Sequence, residues 1–304
     1  QAEDGIRDAQ ESRGLGDVYK RQIHNRTILK NRREIDILCP DHNFAIEFCG
    51  LFWHSDRNGY CPNRHFEKFH ECKQLGIKLF TIFENELIEK PNIVFSRIQH
   101  ALLKTEQKVY ARNCTIEKCE GKFVEDLLKQ WHIAGSKGHN SNFCLLYQSK
   151  PVAIITYGKP RYNKKYEIEI LRYATNPEML VVGGFSRLTN ILKQKYSSII
   201  SYSDNRWGDG KMYLQCGFTS QGYTKPSYFY FLPEEKTLYH RSNFMKHKII
   251  KNLNGLNELT EIENMKKFGY NRIFDCGTTK WVWNKKAEDL TSASVSYTHL
   301  TLPT

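Results

Sequence analysis

No stretch of this sequence approaches the ~18 consecutive apolar residues of a membrane-spanning helix, so no such element is predicted. No CxxC pair occurs among the nine cysteines, and Cys114 and Cys119 have no second pair downstream at zinc-finger spacing. That pattern argues against a disulfide framework and a structural zinc, and for reduced thiols in a cytosolic protein. No internal repeat and no low-complexity tract is present, which sets aside solenoids and disordered linkers. Negative charge is the scarcer sign. With 33 acidic against 45 basic side chains the formal charge is +12, which favours an anionic partner, nucleic acid ahead of membrane, although charge also serves solubility.

What is present divides into flanks and body. Residues 1–22 and the tail VSYTHLTLPT, within 292–304, resemble translated sequencing-adaptor text and carry no periodicity continuous with their neighbours. They are expected to be non-native flanks, with the body starting inside a domain and retaining no secretory signal. The body is long enough for two domains.

From residue 23 to 83 the pattern is strand, hairpin, helix, strand. NRTIL and EIDIL alternate, AIEFCGLFW follows a Pro-Asp-His-Asn turn, Phe66, Phe69 and Cys72 mark a helix ended by Gly76, and IKLFTIF is a buried strand. A second helix follows Pro91. The polar stretch KTEQK at 104–108 predicts a domain boundary. Beyond it come a strand near 109–116, helix FVEDLLKQW, strands FCLLY, VAIITYG and YEIEILRYA, helix FSRLTNILKQKY after Gly183-Gly184, strand IISYS, a short helix KMYLQ, and strands GFTSQGY and YFYF. A basic helix, an acidic helix and an aromatic end complete residues 236–291.

In the first hairpin a four-residue turn pairs Cys39 with Phe44, Leu38 with Ala45, Ile37 with Ile46, and Asp36 with Glu47. Opposed like charges destabilise an antiparallel pair. They become favourable when a hard divalent cation joins them, because Mg²⁺ takes one or two carboxylates plus phosphate oxygens and lowers the pKa of bound water. An exposed polar face is the equally weighted plain reading. His54, a few residues on in an apolar segment, is able to move a proton near neutral pH.

The runs EID…P…AIEFCGLFWHS and HFEKFHECKQLGIKLFTIFENEL resemble the Vsr-like branch of the PD-(D/E)xK nucleases, especially phage homing endonucleases of the EDxHD type. The resemblance implies an α/β chain with a truncated nuclease domain at 23–106 and a magnesium-dependent DNA endonuclease, phage-encoded and acting in the host cytoplasm. Asp36 and Glu47 would hold Mg²⁺, His54 would act on the attacking water or leaving group, and Glu67 would stand where the family carries aspartate. Cys49 stands where the wider superfamily has lysine, and the zinc ligands of the mismatch-repair relatives have no counterparts. Arg32 and Arg33 precede the clamp as candidate phosphate contacts.

The order from 107 to 235 resembles the GNAT acetyltransferase fold, an α+β domain, on EIEILRYATNP, VVGGFSRLTNILK and SYSDNRWGDGKMYLQCGF. Bare N–H groups at a helix N-terminus cradle a pyrophosphate, so Gly183 and Gly184 are the candidate coenzyme A contacts and acetyl-CoA the second candidate cofactor. The usual Q/R-x-x-G-x-G/A pattern is incomplete here. Tyr213 fits the last helix of that fold and fits core packing equally. Arg161, Arg206 and Trp207 lie in basic, aromatic loops suited to DNA, and 236–291 would form a basic extension. The leading expectation is therefore an endonuclease with DNA as partner and no membrane. The alternative is an acyl-CoA-dependent transferase modifying DNA or protein, its nuclease segment degenerate.

Overall fold

The computed structural model describes residues 22–285; the expected flanks fall outside them save for Gln22. The chain is mixed α/β and divides into two compact units. The first takes residues up to 104 with 204–209 and 223–278, and the second takes 105–203, 210–222 and the residues from 279 on. Residues 223–278, later in the chain, fall in the first unit.

The first unit carries a four-stranded sheet in the order β1 (Gln22–Asn25), β2 (Ile35–Cys39), β3 (Phe44–Cys49), β4 (Lys78–Phe83). The hairpin register is the one its turn predicts: Ile37 opposes Ile46, Leu38 opposes Ala45 and Cys39 opposes Phe44. Asn43 closes the turn in the left-handed region, which Asn tolerates better than most residues. Helix α1 (Arg64–Gln74) then crosses over so that β4 lies parallel to β3, the crossover that a parallel pair requires. The expected strand NRTIL is cut short because the Asn25 side-chain oxygen accepts from the Thr27 and Ile28 N–H groups, a local turn that competes with the ladder.

Two short helices follow, α2 (Glu84–Glu89) and α3 (Pro91–Ala101). Later in the chain, β13 (Tyr228–Phe231) lies between β14 (Tyr239–His240) and β15 (Asn271–Phe274). Phe231 and Ile273 from that sheet bury Cys49, Leu51 and Phe83. The expected basic helix over 240–253 splits into a 3-10 turn, Arg241–Phe244, which His240 Nδ1 caps by accepting from Ser242 N–H, and an α-helix, Lys246–Leu253, because Met245 between them is extended. The acidic helix Glu261–Lys267 starts on a Thr260–Glu263 capping box.

The second unit is built on a seven-stranded sheet that includes β6 (Thr115–Glu117), β7 (Ser141–Tyr147), β8 (Lys150–Gly158), β9 (Ile168–Thr175) and β11 (Ser198–Asp204). The expected strand at 109–116 splits around a 3-10 turn, Ala111–Asn113. Its first part, β5 (Lys108–Tyr110), pairs with β10 (Leu180–Val182), and its second part, β6, joins the large sheet. Strands β7 and β8 read as continuous apolar runs because both faces are covered. Leu145, Ala153 and Ile155 pack on the side of helix α5 (Gly184–Lys195), and Cys144 and Ile154 pack on that of helix α4 (Gly121–Trp131). Leu188 and Leu192 of α5 are fully buried, worth about 1.5–3 kcal/mol each.

Candidate functional site

In the first unit, the acids of the hairpin are engaged within the protein. Glu47 is buried and pairs with Lys68, which α1 projects from its apolar face and which also donates to the Glu34 carbonyl. Burial pushes the Glu47 carboxyl up to about 7, against the Lys68 charge. Asp36 accepts from the Phe48 N–H at 2.6 Å, and burial raises its carboxyl as well. Among the described residues, no set of three metal-ligand atoms within 4.8 Å contains both Asp36 and Glu47. His54 faces His65 and Cys49 instead, and Glu67 is exposed beside Arg33.

The expected DNA contacts are similarly placed. Arg32 lies exposed in a 3-10 turn, while Arg33 pairs with Glu71 and Glu67. Arg161, on an exposed turn of the second unit, donates to the Gly138 carbonyl. Arg206 is buried, donating to Glu86 and Asp204 at 2.9 Å each over the Phe83 ring. Trp207 is 8 % exposed, its ring packed on Phe80 and covered by Arg97. Neither residue of this pair presents the open face that base stacking needs.

The second unit holds a different arrangement. Strands β9 and β11 run parallel but pair at three positions only: Ile168 with Ile199, Glu169 with Ile200, Ile170 with Ser201. β9 carries on to Thr175 against β8 after a bulge near Leu171, so beyond Ile170 and Ser201 the two parallel strands part in mid-sheet. At the fork, Ser201 Oγ donates to the Ile170 carbonyl at 3.3 Å and lies 2.9 Å from Tyr213 Oη. Either hydroxyl can be the donor in the Ser201–Tyr213 bond. Tyr213 belongs to the short helix α6 (Lys211–Gln215) and lies flat on Trp281, ring centroids 5.2 Å apart. Burial pushes its phenol up to about 12, so it is held protonated.

Gly183 and Gly184 form the turn that starts α5. Gly183 has φ +75°, a conformation that favours glycine. Gly184 leaves no room for a side chain beneath Tyr173 and Val181. The first turn of α5 contains no acidic residue, so no side-chain charge there offsets the positive end of the helix dipole. Tyr173 Oη accepts from the Phe185 N–H, and Phe185 packs edge-on against both Tyr173 and Tyr213. The helix start and the fork are therefore one packed unit.

Sequence reasoning did not name Lys68, His65, Tyr173, Ser201 or Trp281. His65, Lys68 and Cys72 share the helical spacing of Phe69, so polar residues on a buried face were visible there. The Ser201–Tyr213 contact spans two elements and left no local signal.

No family model matches the chain, and no curated protein matches it. Solved structures do. A Bacillus subtilis acetyltransferase in complex with CoA is 13 % identical, over 57 % of this chain and 99 % of its own, with a TM-score of 0.32. The ribosomal-protein-S18-alanine N-acetyltransferase of Escherichia coli is 10 % identical over 57 % and 96 %, with a TM-score of 0.31. A GNAT family acetyltransferase from Elizabethkingia anophelis with acetyl-CoA bound is 13 % identical over 57 % and 98 %, with a TM-score of 0.28.

The placement of the hairpin acids corrects the expectation of a magnesium-dependent DNA endonuclease. Asp36 and Glu47 are engaged by Phe48 and Lys68 where a bridging Mg²⁺ was expected, and no three-ligand set among the described residues joins them. Homing-endonuclease activity and phage origin have no support beyond the letters that suggested them. Among the described residues, no helix is long and apolar enough to cross a membrane.

Proposed function

We propose that the second unit is an acyl-CoA-dependent transferase of the GNAT type. The observation that carries this reading is the fork between β9 and β11, with a glycine-started helix packed beside it and a protonated tyrosine at its apex. A parallel pair that opens in mid-sheet leaves an edge for an extended, amide-bearing ligand, which is bound as an added strand. The pantetheine arm of coenzyme A has that chemistry. The diphosphate of the same molecule suits the first-turn amides of α5, where no acidic side chain opposes it. The bound thioester supplies an activated acyl group.

Within this reading the chain's own groups have separate roles. Gly183 and Gly184 keep side chains away from the anion. Tyr213, held by Ser201 and Trp281, donates its proton to the departing thiolate, a general-acid role. Acyl transfer to an amine or hydroxyl then forms one bond at the acyl carbon and breaks its bond to sulfur.

The test uses the full chain with acetyl-CoA. A rise in melting temperature that saturates with acetyl-CoA, with thiol release on adding DNA or protein acceptors, is expected. Absence of any shift with either acetyl-CoA or CoA at millimolar concentration would refute the proposal.

A further inference from the structure

We propose that Cys49, His54 and His65 are the three protein ligands of a transition-metal site of the zinc class in the first unit. The inference is independent of the acyltransferase reading, which concerns the other unit. His65 sits in the first turn of α1 and is buried. Its Nδ1 donates to the Phe274 carbonyl at 2.7 Å, which fixes the tautomer and leaves the Nε2 lone pair facing inward. That is the carbonyl-anchored orientation of a metal-binding imidazole.

Nε2 of His65 lies 3.0 Å from His54 Nδ1 and 3.4 Å from Cys49 Sγ. All three atoms lie within 4.8 Å of one another. Tetrahedral coordination at ordinary Zn–N and Zn–S lengths places two nitrogens about 3.3 Å apart and nitrogen from sulfur about 3.5 Å apart. The two separations from His65 Nε2 need to open by only a few tenths of an ångström to reach these values. As it stands, one lone pair faces two groups able to donate to it, and a divalent cation at their centre satisfies all three.

The surroundings supply a second observation. Tyr60 packs 4.7 Å from both imidazole rings. Among the described residues its buried hydroxyl has no hydrogen-bond partner, nor does Glu47 Oε2. Buried polar atoms without partners are rare and costly. Three protein ligands leave a fourth position for water, and the Tyr60 hydroxyl, on a ring packed against both imidazoles, is unpartnered and free to bond it. His54, partly exposed, gives the ion a way in.

Binding balances as follows. The Cys49 thiol proton leaves to solvent, the His54 proton moves from Nδ1 to Nε2 by exchange with water, and one proton is released per ion. Soft and borderline ligands of this kind select Zn²⁺ or Co²⁺ over Mg²⁺.

The other three-ligand set among the described residues, His24, Glu34 and Asp36, is weaker. Glu34 is engaged by Arg26 and His24, and Asp36 by Phe48.

The experiment is titration of the reduced, chelator-stripped full chain with Co²⁺ alone, followed by competition with Zn²⁺. One equivalent is expected to give a near-ultraviolet thiolate-to-cobalt charge-transfer band and visible bands of tetrahedral intensity, both removed by Zn²⁺. Cys49→Ser should abolish the charge-transfer band and weaken Co²⁺ binding at least about 100-fold, while Cys61→Ser, at an exposed cysteine, should leave it intact. The unmodified protein decides the matter even if Cys49→Ser misfolds. Absence of the charge-transfer band at one equivalent overturns the proposal, as does a band that survives in folded Cys49→Ser.

Discussion

Gly184 lies so close to Tyr173 that a methyl on its Cα would stand 2.7 Å from the phenol oxygen and 3.0 Å from a Val181 methyl. Gly184→Ala therefore forces Tyr173 or the start of α5 to move. Overpacking of this kind costs about 1–3 kcal/mol. Tyr173→Phe removes the oxygen and one hydrogen bond, a loss of about 1 kcal/mol. In the double variant part of the Gly184→Ala penalty should disappear, because the closest clash is gone. Urea denaturation of the four proteins measures the coupling; strictly additive effects would show that the close approach is not the source of strain.

Tyr213 tests the chemistry separately from the fold. Tyr213→Phe keeps the ring on Trp281 and loses only the bond to Ser201, so the stability change should stay near 1 kcal/mol. Loss of a positioned proton donor is expected to lower kcat by at least about 100-fold, with KM for acetyl-CoA within about threefold. The measurement is steady-state thiol release. An unchanged kcat would remove Tyr213 from the reaction and leave it a core residue.

How much of this was legible in the sequence varies with the range of the interaction. The Cys39–Phe44 hairpin register followed from turn length and alternation alone. Helices α1, α4 and α5 came from apolar spacing bounded by Gly and Pro. The expected pairing of Asp36 with Glu47 is not among the pairs of that register, and the charge of Glu47 is met from elsewhere. Lys68, twenty-one residues past Glu47, supplies the countercharge, and nothing local to the hairpin discloses it. Arg206 and Trp207 misled for the same reason. A basic, aromatic loop reads as a surface, and only the fold shows Glu86, Asp204 and Phe80 closing over it. The fork between β9 and β11 is a property of where pairing stops, which residue patterns do not encode.

The Lys68–Glu47 pair gives a prediction for the first unit. Both side chains are about 5 % exposed. Removing one partner from a buried pair leaves an uncompensated charge and typically costs 3–5 kcal/mol, whereas an apolar replacement of both is often neutral or better. Lys68→Met is expected to destabilise by about 3–5 kcal/mol, and Lys68→Met with Glu47→Leu to recover most of it. Denaturant unfolding of the single and double variants measures this. A double variant as unstable as the single would show that the pair organises the fold beyond its own charge balance.

Asp275 supplies the pH dependence. Its Oδ1 accepts from the Ser227 and Gly277 N–H groups at 2.7 and 2.8 Å. Burial, reinforced by the Asp204 charge and opposed by those bonds and Arg206, pushes its carboxyl up to about 6. The unfolded chain titrates that group near 4, so the folded state binds the proton more tightly. Stability from this source is fully present below about pH 4 and is lost as pH rises through about 6. Asp275→Asn keeps an oxygen for both N–H groups and has no proton to lose. At about pH 8 it should exceed the parent in stability by about 1–3 kcal/mol, falling to little difference near pH 4. Urea unfolding at the two pH values checks this. A variant less stable than the parent at pH 8 would mean that the ionised carboxylate is stabilised through Arg206 more than burial penalises it.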